Sequence, residues 1–209
     1  MLKVWGRANS SNVGKVMWCI GELGLQHERI DWGGRFGGND DPDYWKMNPN
    51  GRVPTLQEDG EFSLWESGAI VRYLCAKHSA GALYPDELKV RAEAEQWMDW
   101  AAVTLHPFNP VFIANMFVLP PEKRDPEAIS KAVETTAPLF GILDQHLANR
   151  AYLCGSEFTM ADIPAGTLVH RWITYAPERP KHANLEAWYE RLKQRPAYVE
   201  HVSSVTPGR

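Results

Sequence analysis

The spacing of apolar residues changes character near residue 79, and that change constrains the fold more than any other feature of the chain. Ahead of it, strand-like and helix-like stretches alternate. Leu2 to Trp5 predicts a short strand, and Val13 to Leu23 a helix with Val13, Val16, Met17, Ile20 and Leu23 on one face and Gly24 closing it. His27 to Trp32 predicts a second strand, and Tyr44 to Met47 a short helix. Val53 to Gln57 and Glu61 to Trp65 flank Asp59-Gly60, a pair suited to a tight hairpin, so these two stretches are expected to lie antiparallel. Ser67 then opens a helix to about His78. The order implies a mixed sheet with helices packed on its faces.

Gly81 and Pro85 break the periodicity between Ser79 and Asp86, and beyond them the chain reads as helical. Glu87 to Phe117 forms a long helical stretch that Pro107 and Pro110 should kink, because each proline removes a backbone donor. Pro126 to Leu147 follows, interrupted or bent near Pro138. Phe158 to Ile163 carries a helix start, with Thr159 as cap, Asp162 reaching back to the Thr159 amide, and Phe158 stapling onto Ile163. A last helix is expected from Leu185 to Arg195, capped by Asn184 and stopped by Pro196. The chain thus divides into an α/β domain over 1–80 and an all-α domain over 87–209.

Composition narrows the functional classes. A net charge of -4 offers no cationic surface for a polyanion, so nucleic acid is disfavoured as a partner. No apolar run approaches the ~20 residues of a membrane span, and the short apolar start does not suit a signal peptide; the chain reads as cytosolic. Cys19, Cys75 and Cys154 form no Cys-x-x-Cys pair and read as reduced, mostly buried thiols. The seven histidines lack metal-ligand spacing, so no metal site is expected. The glycines of 33–38 and the Gly14-Lys15 pair match no nucleotide-binding motif.

Chemistry concentrates in three clusters of the first half. Asn9-Ser10-Ser11-Asn12 lies between the first strand and the first helix, where unpaired amides and the positive end of the helix dipole favour an anion; the same residue types are also the best helix caps. Asn48-Pro49-Asn50-Gly51-Arg52-Val53-Pro54 places a proline directly before a strand, where a cis bond would turn the Val53 amide and carbonyl outward to pair with an extended peptide and a trans bond would not. Glu66-Ser67 opens a helix and suits an amino-acid headgroup, the hydroxyl and helix amides facing its carboxylate and Glu66 its ammonium.

In this order, Ser10, the Asn48 to Pro54 segment, Glu66-Ser67 and Phe158 to Asp162 resemble the cytosolic glutathione transferases, in particular the bacterial serine-type members similar to the theta and zeta classes. The resemblance implies a thioredoxin-like N-terminal domain that binds glutathione as co-substrate, an all-helical C-terminal domain lining a site for small hydrophobic electrophiles, a cis Val53-Pro54 bond and a homodimer. It implies that Ser10 donates a hydrogen bond to the glutathione sulfur, with Ser11 and Asn12 as rivals for that role. Val53 and Pro54 would pair with the cysteinyl backbone, Glu66 and Ser67 would hold the γ-glutamyl end, and Arg52 would reach the glycyl carboxylate. Asp99, on the helix face of Gln96 to Trp100, would lie at the interface between subunits. Trp5 and Gly6 stand where a tyrosine-type member carries its tyrosine, and no cysteine occupies the Asn9 to Asn12 cluster. Phe36, Phe108, Phe112, Met116 and Phe117 are candidates either for the electrophile site or for core. Isomerisation, dehalogenation, peroxide reduction and non-catalytic ligand binding on the same scaffold are the alternative functions.

Overall fold

A computed structural model describes residues 1–208. Four short strands form one sheet in the order β2-β1-β3-β4: β1 (Leu2–Trp5), β2 (His27–Ile30), β3 (Thr55–Glu58) and β4 (Phe62–Trp65). The central strand β1 pairs parallel with β2, Leu2 opposite His27, and antiparallel with β3, Leu2 opposite Glu58. A parallel pair needs a crossover, and α1 (Ser11–Glu22) supplies it. The hairpin pairs Thr55 with Trp65. Its turn residues Asp59 and Gly60 both take positive φ, as a tight antiparallel connection demands. α2 (Pro42–Met47) and α3 (Ser67–His78) complete this half.

Beyond residue 87 all regular structure is helical, so the α/β half is followed by an all-α half, as the apolar spacing predicts. α4 (Leu88–Trp100) continues through a wider turn to Leu105, and α5 (Phe108–Ile113) continues likewise to Val118. The two extended helices meet at an angle of 48° where Pro107 breaks the ladder. α6 (Pro126–His146) passes through Pro138 as one helix. α7 (Asp162–Tyr175), α8 (Ala183–Leu192) and the short α9 (Pro196–Tyr198), which continues through a wider turn to Ser203, follow. Among the described residues no single helix is long and apolar enough to cross a membrane.

Two sequence expectations about helix ends are corrected. Asn184 is not the cap of α8; it lies inside the helix, and the Asp144 carboxylate, on α6, accepts from the backbone amides of Asn184 (2.8 Å) and Leu185 (3.0 Å). Pro196 ends no chain of helices but begins α9, its missing amide being harmless in a first turn.

The first helix is buried nearly all round. Val13, Val16, Trp18, Cys19 and Ile20 are within one per cent of complete burial, which marks α1 as a core helix rather than a surface one. It packs against α3 on one side and against α7 and α9 on the other. Trp18 meets Tyr198 and Phe158, with ring centroids 4.6 Å and 5.5 Å away. A Cβ at Gly166 would stand 2.8 Å from Trp18, so only glycine lets α7 approach this closely. Glu22, at the end of α1, accepts from Trp18 Nε1 (2.8 Å) and from Arg195 through Nε (2.8 Å) and Nη2 (2.7 Å).

The second half is clamped at Asp162, which is fully buried. Its Oδ1 accepts from the Leu153 amide and Trp188 Nε1, and its Oδ2 from the Thr159 amide, each at 3.0 Å. Burial lifts the carboxyl to about 6, against three N–H donors that favour its charged form. Phe108 and Phe112 belong to the core, where Phe108 meets Phe140 and Trp172 edge-on. Cys19 and Cys75 are buried free thiols with sulfurs 3.6 Å apart, and Cys154 is half-buried.

Candidate active site

Three loops at one end of the sheet bring the sequence clusters together. The first leaves β1 at Trp5. The Gly6 amide donates to Ile30 O (2.8 Å) and the Arg7 amide to Trp32 O (3.0 Å), which carries the chain past β2 before it turns into α1. A Cβ on Gly6 would lie 2.4 Å from Val13, so the close return of α1 requires glycine there. Ser10 is the residue before the helix; its carbonyl accepts the Gly14 amide (2.8 Å), but its side chain makes no capping bond.

The second loop is held from behind. Tyr44 Oη and Asn48 Nδ2 both donate to the Arg52 carbonyl at 2.7 Å, and Asn48 Nδ2 also donates to Thr55 Oγ1 at 3.0 Å. Asn48 and Tyr44 are almost wholly buried, so these bonds form in a medium of low dielectric and fix the segment that follows. That segment contains the Val53-Pro54 bond, which is cis. Tyr44 was not legible as part of the site, because its contact depends on how α2 docks rather than on any motif.

The third loop is strained. Glu66 takes φ 70 and ψ 114, a conformation L-residues avoid and which costs ~1–3 kcal/mol unless the surroundings impose it. Such outliers cluster where a side chain must be aimed. Glu66 is exposed, and Ser67, the first residue of α3, is buried.

Asn12 links these elements. With Asn50, Arg52, Val53, Pro54, Glu66 and Ser67 it lines a cavity of about 140 Å³. It also lines an adjoining cavity of about 320 Å³ with Glu66, Ser67, Lys15, Asp99 and His106. Ser10 and Ser11 open instead on a small space of about 10 Å³ facing Thr167, His170 and Arg171 of α7. The Ser11 hydroxyl accepts from Asn109 Nδ2 (3.3 Å), whose Oδ1 in turn accepts from Arg171 Nη1 (2.8 Å). Asp99 pairs with Arg72 of the same chain. Of the residues expected at the site, Asn12, Arg52, Val53, Pro54, Glu66 and Ser67 surround one space, whereas Ser10 and Ser11 open on a separate small one beside α7.

The electrostatics of the floor are unusual. Lys15 is only 3% exposed and, among the described residues, has no carboxylate bonded to it; its ammonium donates to Asn12 Oδ1 at 2.9 Å. Burial, and then the neighbouring Arg171 charge, bring its pKa down to about 8, with Glu66 acting in the other direction. Burial also holds His106 neutral down to about 4, with Lys15 and Arg171 adding to the effect. A polar, positively biased pocket at a helix N-terminus can hold an anion and lower the cost of forming one.

The fold and this site together define a glutathione S-transferase, and the chain belongs to that family. The N-terminal domain of the glutathione S-transferases matches residues 1–76 and their C-terminal domain residues 110–196. Over 198 residues, 94% of this chain and 95% of the relative, it is 41% identical to glutathione S-transferase GstB of Escherichia coli. It is 32% identical to glutathione S-transferase 3 of Zea mays, with 98% and 94% covered. The theta class glutathione S-transferase from the citrus canker pathogen Xanthomonas axonopodis pv. citri, solved with glutathione bound, superposes with a TM-score of 0.91 at 44% identity, 96% of each chain being covered.

Proposed function

We propose that this transferase binds glutathione in the joined cavities and attaches its sulfur to small hydrophobic electrophiles. The observation that carries the reading is the convergence of Asn12, Arg52, Val53, Pro54, Glu66 and Ser67 on one space. Glu66 faces the γ-glutamyl ammonium, the Ser67 hydroxyl and the amides opening α3 face its carboxylate, Val53 pairs with the cysteinyl backbone, and Arg52 answers the glycyl carboxylate.

The sulfur then lies at the N-terminal end of α1. A free thiol of this kind has a pKa of about 8.5 and reacts as its thiolate, so the work of the site is to make the anion more stable than it is in water. The Ser10 hydroxyl, uncommitted to capping, lines the neighbouring small space and would turn toward the cavity to donate to the sulfur, and the helix dipole adds to the effect. The thiol proton leaves to solvent. The thiolate forms a carbon–sulfur bond as the electrophile's leaving group departs with its bonding electrons. Two copies associate through the face that carries α4, where Asp99 borders the cavity and Val103, just beyond the helix, is exposed.

Retention on immobilised glutathione followed by conjugation of a chlorinated nitroaromatic tests the activity; failure to turn over any electrophile of a broad set refutes it. Ser10→Ala should raise the pKa of bound glutathione and lower the rate, while Ser11→Ala should change little, since Ser11 is buried and its oxygen is held against Asn109.

A further inference from the structure

Lys15, like the strained Glu66, is a feature of the site that stability does not explain. Its ammonium is buried against an asparagine rather than a carboxylate, an arrangement that is costly for a folded chain. The geometry gives that charge a task. An ammonium has donors only, so the atom of Asn12 facing it, 2.9 Å away, must be the carbonyl oxygen. The amide NH2 of Asn12 is thereby turned away from Lys15. Asn12 lines both parts of the cavity, whereas Ser10 and Ser11 line neither.

We infer that Lys15 is a positioning residue for the transferase reaction: by holding the Asn12 carbonyl it presents the Asn12 amide NH2 to the glutathione sulfur as a second donor beside Ser10. The inference rests on the proposed placement of glutathione. Asn12 then touches the reacting atom, and Lys15 acts through it. The thiol proton still leaves to solvent; neither residue takes it. The charged and titratable groups facing Lys15 come from every neighbouring element. They are Glu66 ahead of α3, His106 beyond α4 and Arg171 on α7, with Arg72 of α3 and Asp99 of α4 lining the same cavity. The negative charges among these are Glu66, which is exposed, and Asp99, which is paired with Arg72.

The test follows the ultraviolet absorbance of the bound thiolate against pH in wild type, Lys15→Met, Lys15→Arg, Asn12→Ala and the double variant Asn12→Ala/Lys15→Met. Lys15→Met and Asn12→Ala should each raise the midpoint by about one pH unit, a tenfold loss of thiolate at fixed pH. The double variant should go no further than either alone, because both changes remove one interaction. Lys15→Arg, which keeps the donor, should stay near wild type. In turnover, kcat should fall ~10-fold while KM for glutathione holds within about threefold. An unmoved midpoint in Asn12→Ala, or additive effects in the double variant, overturns the inference. If Lys15→Met does not fold, Asn12→Asp decides it. That variant keeps the Lys15 bond but replaces the donor by an anion, so its midpoint must rise by more than that of Asn12→Ala. Calorimetry on the wild type separates the two readings: no binding of glutathione removes the proposed function, whereas binding with unmoved midpoints removes only the role of Lys15.

Discussion

Replacing Lys15 by methionine should make the protein more stable. Burial depresses the ammonium from 10.5 to about 8, a penalty on the charged form in the folded chain on the order of 3 kcal/mol. The substitution gives up one hydrogen bond from a charged donor to Asn12, worth ~1.5–3 kcal/mol. Methionine fills an unbranched channel of similar length. The balance is a gain on the order of 1 kcal/mol, or a few degrees in Tm at ~2–4 °C per kcal/mol for a chain of this size. The pH dependence has a definite sign. Below about 8 both folded and unfolded chains carry the charge, so the wild type bears the whole penalty; between about 8 and 10.5 the folded chain releases the proton first and the penalty fades. Melting curves at pH 7 should show the variant ahead, and curves near pH 10 should show the gap narrowed. A Tm that falls by several degrees at pH 7 refutes the reasoning, since it makes the ammonium a net structural asset.

Asp162→Ala leaves three buried N–H donors without an acceptor, at ~1–3 kcal/mol each, so denaturant titration should show a loss of about 3–6 kcal/mol; a loss below about 1 kcal/mol contradicts the clamp. Glu66→Gly should relieve the positive φ and leave Tm unchanged or raised while KM for glutathione rises ~10-fold, the equivalent of ~1.4 kcal/mol; a lowered Tm with unchanged KM would assign Glu66 a structural role instead. His170 is buried and held neutral down to about 4, while in the unfolded chain it takes a proton near its ordinary 6.5, so stability should drain away as pH falls between those values. His170→Asn should flatten that part of the stability profile, and an unchanged slope would place the acid sensitivity elsewhere.

The sheet and most helices were legible because their signals are local. Alternation in Leu2 to Trp5, the Asp59-Gly60 turn and the amphipathic face of Val13 to Leu23 each depend on neighbours a few residues away. The Asp162 clamp was half legible: its bond to the Thr159 amide is a short-range cap, but Leu153 and Trp188 join it only in the folded chain. The cap of α8 was misplaced for the same reason, since Asp144 lies 40 residues from Asn184. Ser10, Asn12, Glu66 and Ser67 announced themselves by residue type at helix starts. What the residue types could not convey was direction, namely that the serines face α7 while Asn12 faces the larger cavity. Lys15 gave no signal, because a lysine within an apolar helix is ordinarily a solvated end on a greasy stem.

The first helix, whose start lines the candidate site, is gripped from both halves of the molecule. Trp18 is enclosed by Tyr198 and Phe158, Gly166 admits α7 against it, and Arg195 locks onto Glu22. An isolated first half would present this tryptophan and its neighbours to water and would cling to membranes, chaperones or copies of itself. The two halves therefore cannot be exchanged freely between relatives: a graft that alters the packing around Trp18 shifts the start of the first helix, which lines the candidate site.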